Sequence, residues 1–150
     1  MKVKILMLCF STLVLFSCGN TDDTKANAEN ENSGKDEVYD PMKDKGVGTI
    51  TSITLAPEID KAMAAEGEAV FVAKCTACHK TDKRFIGPAP KGVLERRTPE
   101  WIMNMILNPE KMVKENEAAK KLLMEYIAPM ANQNLTEKEA RAILEYYRTL

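Results

Sequence analysis

Residues 75 to 79 read Cys-Thr-Ala-Cys-His, which sets two thiols and one imidazole within five positions. Each thiol can add across a vinyl group of haem to give a thioether, and the abutting imidazole is then held under the iron, so one pentapeptide could both tether a porphyrin and ligate its metal. Zinc is a competing use of the same atoms, but it needs four ligands, or three plus water, and His79 is the only histidine in the chain. A redox dithiol is the other alternative. It needs a strand–helix setting of the thioredoxin kind, and no segment alternates long enough to suggest a sheet.

A six-coordinate iron would need a second axial ligand that is not histidine, and methionine is the natural choice. Met63, Met103, Met105, Met112, Met124 and Met130 follow residue 57. Four of them, Met63, Met103, Met105 and Met124, sit in helical patterns among other apolar residues, where packing accounts for them. Met112 falls on a charged connector. Met130 follows Pro129 and precedes Asn132-Gln133-Asn134, so it is presented from a loop where a buried thioether needs another reason, and it is the preferred ligand. If no methionine binds, the iron is five-coordinate, and the site becomes a gas sensor or a peroxidase-like module.

The elements that must position these residues are helical. The pattern predicts helices over about 59–73, from the Thr98-Pro99-Glu100 start to about Leu107, over about 115–126, and from Thr136 onward. Thr136 and Glu139 can form a capping box there, and Ala140, Ile143, Leu144 and Tyr147 follow at helical spacing. Residues 58–150 would make one small domain whose core a buried cofactor could complete. Residues 46–57, "GVGTITSITLAP", read as an extended lead-in that lies on the domain.

Ahead of this the composition changes. Met1-Lys2-Val3-Lys4 and the apolar run Ile5–Phe16 read as a signal peptide (1–17), too short for a comfortable span. "LFSC" resembles a bacterial lipoprotein processing box, which makes Cys18 the expected lipidation site, with Phe16 bulkier than usual there. Cys9 leaves with the leader, so only Cys75 and Cys78 stay in the domain and a disulfide scaffold is excluded. Residues 18–57 form the expected anchored tether with its lead-in. The stretch from Gly19 to Lys45 carries eight acidic residues and four lysines, and is too polar to order itself. Loss of Lys2 and Lys4 leaves 19 basic residues against 22 acidic ones, which gives no sign of a nucleic-acid partner. The chain is expected in the cell envelope, lipid-anchored to a bacterial membrane, with its domain on the periplasmic side.

Three stretches, in order, resemble the class I monohaem cytochromes c: "GEAVFVAKCTACHK", "GPAPKGV" and "APMANQNLTEKEARAILEYYRTL". The resemblance spans residues 58–150 and implies an all-α fold of three to five helices around one covalently bound haem c. It further implies thioethers at Cys75 and Cys78, axial ligands His79 and Met130, and a Pro88 carbonyl that accepts the other ring N–H of His79. Gly67 and Phe71 match the crossing of the first helix with the last, opposite Tyr146. Pro90 departs from the leucine usual at its position. The implied activity is one-electron transfer between redox proteins, with no catalytic residues and no enzyme activity of its own. The run "TPEWIMNMILNPEKM" is also similar to small lipoprotein cytochromes that accompany nitrous oxide reductase, which makes that enzyme a candidate partner.

Overall fold

A computed structural model describes residues 39–150; the expected leader, Cys18 and the tether as far as residue 38 lie outside the described residues. The described residues form five α-helices and one 3-10 turn, with no strand: α1 (Lys61–Lys74), the turn Val93–Glu95, α2 (Pro99–Leu107), α3 (Pro109–Glu115), α4 (Glu117–Tyr126) and α5 (Glu137–Tyr147). No helix among them is long and apolar enough to cross a membrane.

Each helix begins where a side chain satisfies the orphaned first-turn N–H groups. The Asp60 carboxylate accepts from the N–H groups of Ala62 and Met63 at 3.0 Å each, and the Thr98 hydroxyl accepts from Trp101 N–H at 3.1 Å. Thr136 and Glu139 form the expected capping box in both directions. Helix α3 was not expected from the sequence. Asn108 closes α2 and caps α3 through a 3.1 Å bond from Lys111 N–H, so Pro109, expected only to stop α2, occupies the first position of the next helix. Asn116 repeats the device. It ends α3 and caps α4 from Ala119 N–H at 3.0 Å, which starts α4 at Glu117 rather than near Glu115. Met112, expected on a charged connector, is therefore a core residue of α3 with no exposed surface.

Helices α1 and α5 cross in close contact. A Cβ at Gly67 would overlap the Ala142 backbone carbonyl, so only glycine permits this approach. Phe71 fills the crossing against Tyr146 and Tyr147, with ring centroids 5.6 and 5.8 Å away. Glu145, 1 % exposed, locks the same junction: it binds Arg141 and Arg148 at 2.6 Å each and accepts the Asp60 N–H at 2.9 Å. Burial alone would raise its carboxyl, but the Arg141 hydrogen bond, the Asp60 N–H and the two guanidinium charges outweigh it and hold the group below the usual range. Glu145→Ala is expected to cost about 2–3 kcal/mol, below the figure for a fully buried pair because both arginines are partly solvated. A depressed carboxyl stabilises above its unfolded value near ~4.3, and that contribution disappears as pH falls through the lower folded value. Urea melts of wild type and variant should therefore differ at pH 7 and converge in acid.

The expected lead-in, 46–57, is pinned to the helices, and so are residues 39–45, which were expected in the unordered tether. Asn104 on α2, 2 % exposed, receives the Ile50 N–H at 3.1 Å and donates to the carbonyls of Ile50 and Lys45 at 2.9 and 3.0 Å. Glu100 accepts the Ile53 N–H at 3.1 Å, and Ile50 itself is in the core. Asp44 receives two bonds from the Asn116 amide, at 2.9 and 3.0 Å, and one from the Tyr39 hydroxyl at 2.8 Å. Residues 39–55 are thus a strap pinned by buried polar side chains of α2 and by the cap of α4. The sequence hid its first part, 39–45, because a strap held by its backbone needs no apolar periodicity of its own.

Candidate functional site

One cavity of about 650 Å³ gathers the chemistry-bearing residues: Cys75, Cys78, His79, Pro88 and Met130 all line it. Its volume lies in the ordinary range for cofactor pockets, and its walls are mostly apolar, from Trp101, Ile102, Ile106 and Val113 to Leu122 and Tyr147.

Cys75 closes α1, with its N–H bonded to the Phe71 carbonyl at 2.8 Å, and the chain then turns so that the N–H groups of Cys78 and His79 both reach the Cys75 carbonyl at 3.0 and 2.8 Å. That turn presents the two thiols and the imidazole from one rigid corner. His79 Nδ1 lies 2.8 Å from the Pro88 carbonyl oxygen. A carbonyl can only accept, so Nδ1 is the donor, and Nε2 is the ring nitrogen left for a metal. Gly87 lies flat on the imidazole. A Cβ there would come 2.5 Å from Cε1 and 2.9 Å from Nδ1, so glycine is what lets the loop brace the ring. The Gly87 N–H closes the loop onto the Cys78 carbonyl at 2.8 Å.

The alternatives to haem find little support. Burial, then the neighbouring Cys78, push the Cys75 thiol up to about 11, the reverse of a reactive dithiol. Among the described residues no three histidine, cysteine, aspartate or glutamate side chains gather as metal ligands, which leaves zinc without a closed site.

The six methionines separate by position. Met103 and Met112 are fully buried away from the cavity, and Met112 Sδ already accepts the Val47 N–H at 3.0 Å. Met63 is half-buried on α1 outside the cavity lining. Packing was expected to account for Met124, yet it is 71 % exposed. Only Met105 and Met130 line the cavity, and of these Met130 stands in the loop after Pro129, while Met105 is fixed within α2. Pro90, the departure from the usual leucine, is buried in the cavity wall, where its carbonyl accepts the Val93 N–H at 2.9 Å and starts the 3-10 turn. Sequence reasoning did not find Gly87, Trp101 or Arg84 at the site. The indole N–H of Trp101 is taken by the Asn116 side chain at 3.1 Å.

The family model of cytochrome c matches residues 64–150. The chain belongs to the cytochrome c family. Among solved structures, it is similar to the cytochrome c from Rhodothermus marinus, at 46 % identity over 68 % of this chain and 88 % of that one, with a TM-score of 0.66. An engineered cytochrome c from the same organism matches at 45 % identity over 68 % and 89 % of the two chains, also at 0.66. A further structure of the engineered protein, bound to a carbene intermediate, matches at 46 % identity over 68 % and 88 %, with a TM-score of 0.64. No curated protein matches the chain. As a cytochrome c, this protein carries a covalently bound haem c and takes part in haem-based electron transfer. The cavity fits that group in volume, in the apolar character of its walls and in its donors. The strap over residues 39–55 lies ahead of the family match.

Proposed function

We propose that this cytochrome c is a carrier of single electrons, not an enzyme, with Cys75 and Cys78 as the thioether positions and His79 and Met130 as the axial ligands. The observation that carries this reading is that His79, its tautomer set by Pro88, and the loop-borne thioether of Met130 line the same cavity. The bound haem supplies a one-electron Fe(III)/Fe(II) couple. The chain's own contribution is to hold the ring of His79 through Pro88 and Gly87, to fill a second axial position, and to keep water from the ring with its apolar wall. Methionine ligation and low polarity both favour the ferrous state, so the potential is positive.

A redox titration of the purified protein, followed by exposure of the reduced form to carbon monoxide, tests this. A reversible single-electron couple and no spectral change with the gas are expected. Ready binding of carbon monoxide would put the sensor or peroxidase-like reading in its place.

The anchor belongs to the same proposal. The "LFSC" box supports lipidation of Cys18 and a periplasmic domain tethered to a membrane. Cys18→Ala is expected to release the protein from the membrane fraction with its absorption spectrum unaltered, and wild-type protein free of acyl chains by mass analysis would refute the anchor. The likeness of "TPEWIMNMILNPEKM" to the cytochromes that accompany nitrous oxide reductase supports that enzyme as the first acceptor to try, by stopped-flow oxidation of the reduced protein.

A further inference from the structure

Arg84 stands five residues after His79, and its guanidinium reaches across the sequence to the end of α4. Nη1 donates to Glu125 Oε1 at 2.7 Å, Nη2 donates to the Glu125 carbonyl oxygen at 2.9 Å, and Cζ lies 4.0 Å from the Tyr126 ring centroid. Arg84, Glu125 and Tyr126 all line the cavity. As an exposed ion pair, with both side chains about half solvated, the Arg84–Glu125 contact would count for little by itself. Three contacts from one planar group differ, because the guanidinium also satisfies a last-turn carbonyl that α4 cannot pair internally and stacks on an aromatic face.

The backbone just beyond α4 ties this contact to function. Ile127, the next residue, has φ 54° and ψ 22°, a left-handed conformation that a β-branched side chain adopts only under restraint, and it is 86 % exposed. Ala128 and Pro129 then lead to Met130. The segment that presents Met130 thus leaves α4 through a strained residue, and one of the groups holding the preceding turn is Arg84. On its other side, Arg84 belongs to the loop braced on His79, where Phe85 N–H meets the Gly87 carbonyl at 3.0 Å.

We propose that Arg84 is a positioning residue, a clasp from the His79 loop to the end of α4 that keeps Met130 in its ligating place. The proposal rests on Met130 being an axial ligand. Loss of the clasp leaves the His79 side intact and lets the strained turn relax, so Met130 leaves the iron more often and competing ligands enter more readily.

The test is imidazole binding to the oxidised holoprotein, followed in the sulfur-to-iron charge-transfer band, in wild type, Arg84→Ala, Arg84→Lys, Met130→Ala and Lys83→Ala. Arg84→Ala should bind imidazole about tenfold more tightly, the scale of one charge-assisted contact. Arg84→Lys should fall between it and wild type, because lysine keeps the charge but not the fork. Lys83→Ala removes the same charge from the neighbouring position and should match wild type. Arg84→Ala indistinguishable from wild type or from Lys83→Ala, with Met130→Ala open, overturns the clasp alone. A wild type without the band, or a Met130→Ala variant that binds imidazole no better than wild type, overturns the Met130 assignment and the clasp together.

Discussion

Cys75→Ala combined with Cys78→Ala is expected to give a chain that stains for no covalent haem in a denaturing gel and has lost most of its helical circular dichroism. The wall of the site decides this. Without the porphyrin the apolar wall of the cavity loses its packing partner, in a domain whose whole stability would typically be only ~5–15 kcal/mol. Water entering at the mouth wets a wall built from Trp101, Ile102, Ile106, Val113 and Leu122, residues that belong to the core or pack against it. Core and cofactor site are the same surface here. Either single variant keeps one thioether and should retain haem with weakened attachment. A double variant with native helicity and no haem would show that the helices hold one another without the porphyrin.

Met130→Ala is expected to abolish the sulfur-to-iron charge-transfer band, to lower the potential by on the order of 0.1 V or more, and to let the reduced protein bind carbon monoxide. The control is Met124→Leu. Met124 is 71 % exposed and outside the cavity lining, so its replacement should leave all three readings unaltered. Met105→Leu is the stricter comparison, because Met105 does line the cavity; as a near-isosteric exchange it should keep the band, with at most a small loss of stability. If the band survives in Met130→Ala and vanishes in Met105→Leu, the ligand is Met105, presented from α2 and not from the loop.

The helix ends were legible in the sequence wherever a short polar side chain preceded a helix former. Thr98-Pro99 and the Thr136/Glu139 box are local devices that act within a few residues, and the structure places both as expected. Helix α3 was not legible, because seven residues with two apolar side chains fall below the length at which a 3.6-residue period can be seen. Residues 46–57 were expected to lie on the domain, but the start of the strap at 39–45 and its fastening were not legible: its partners, Asn104, Glu100 and Asn116, lie 47 to 72 positions away, and their bonds go largely to backbone atoms. At the site, the Cys-Thr-Ala-Cys-His stretch announces its own chemistry. Gly87 and Arg84 do not, since one acts by lacking a side chain and the other through a partner 41 residues distant.

Asn108 and Asn116 each end one helix and begin the next, so α2, α3 and α4 succeed one another through single-residue corners, and all three contribute to the cavity wall. Such corners contain no slack. A carrier of electrons exchanges charge fastest when few atoms must shift as the electron arrives, and a wall made of three rods hinged at capped asparagines has no loop to rearrange around a new charge. An inserted residue at either corner would have to break a shared cap, whereas the loops 80–92 and 128–135, which carry the bracing of His79 and the presentation of Met130, have no such cap to lose.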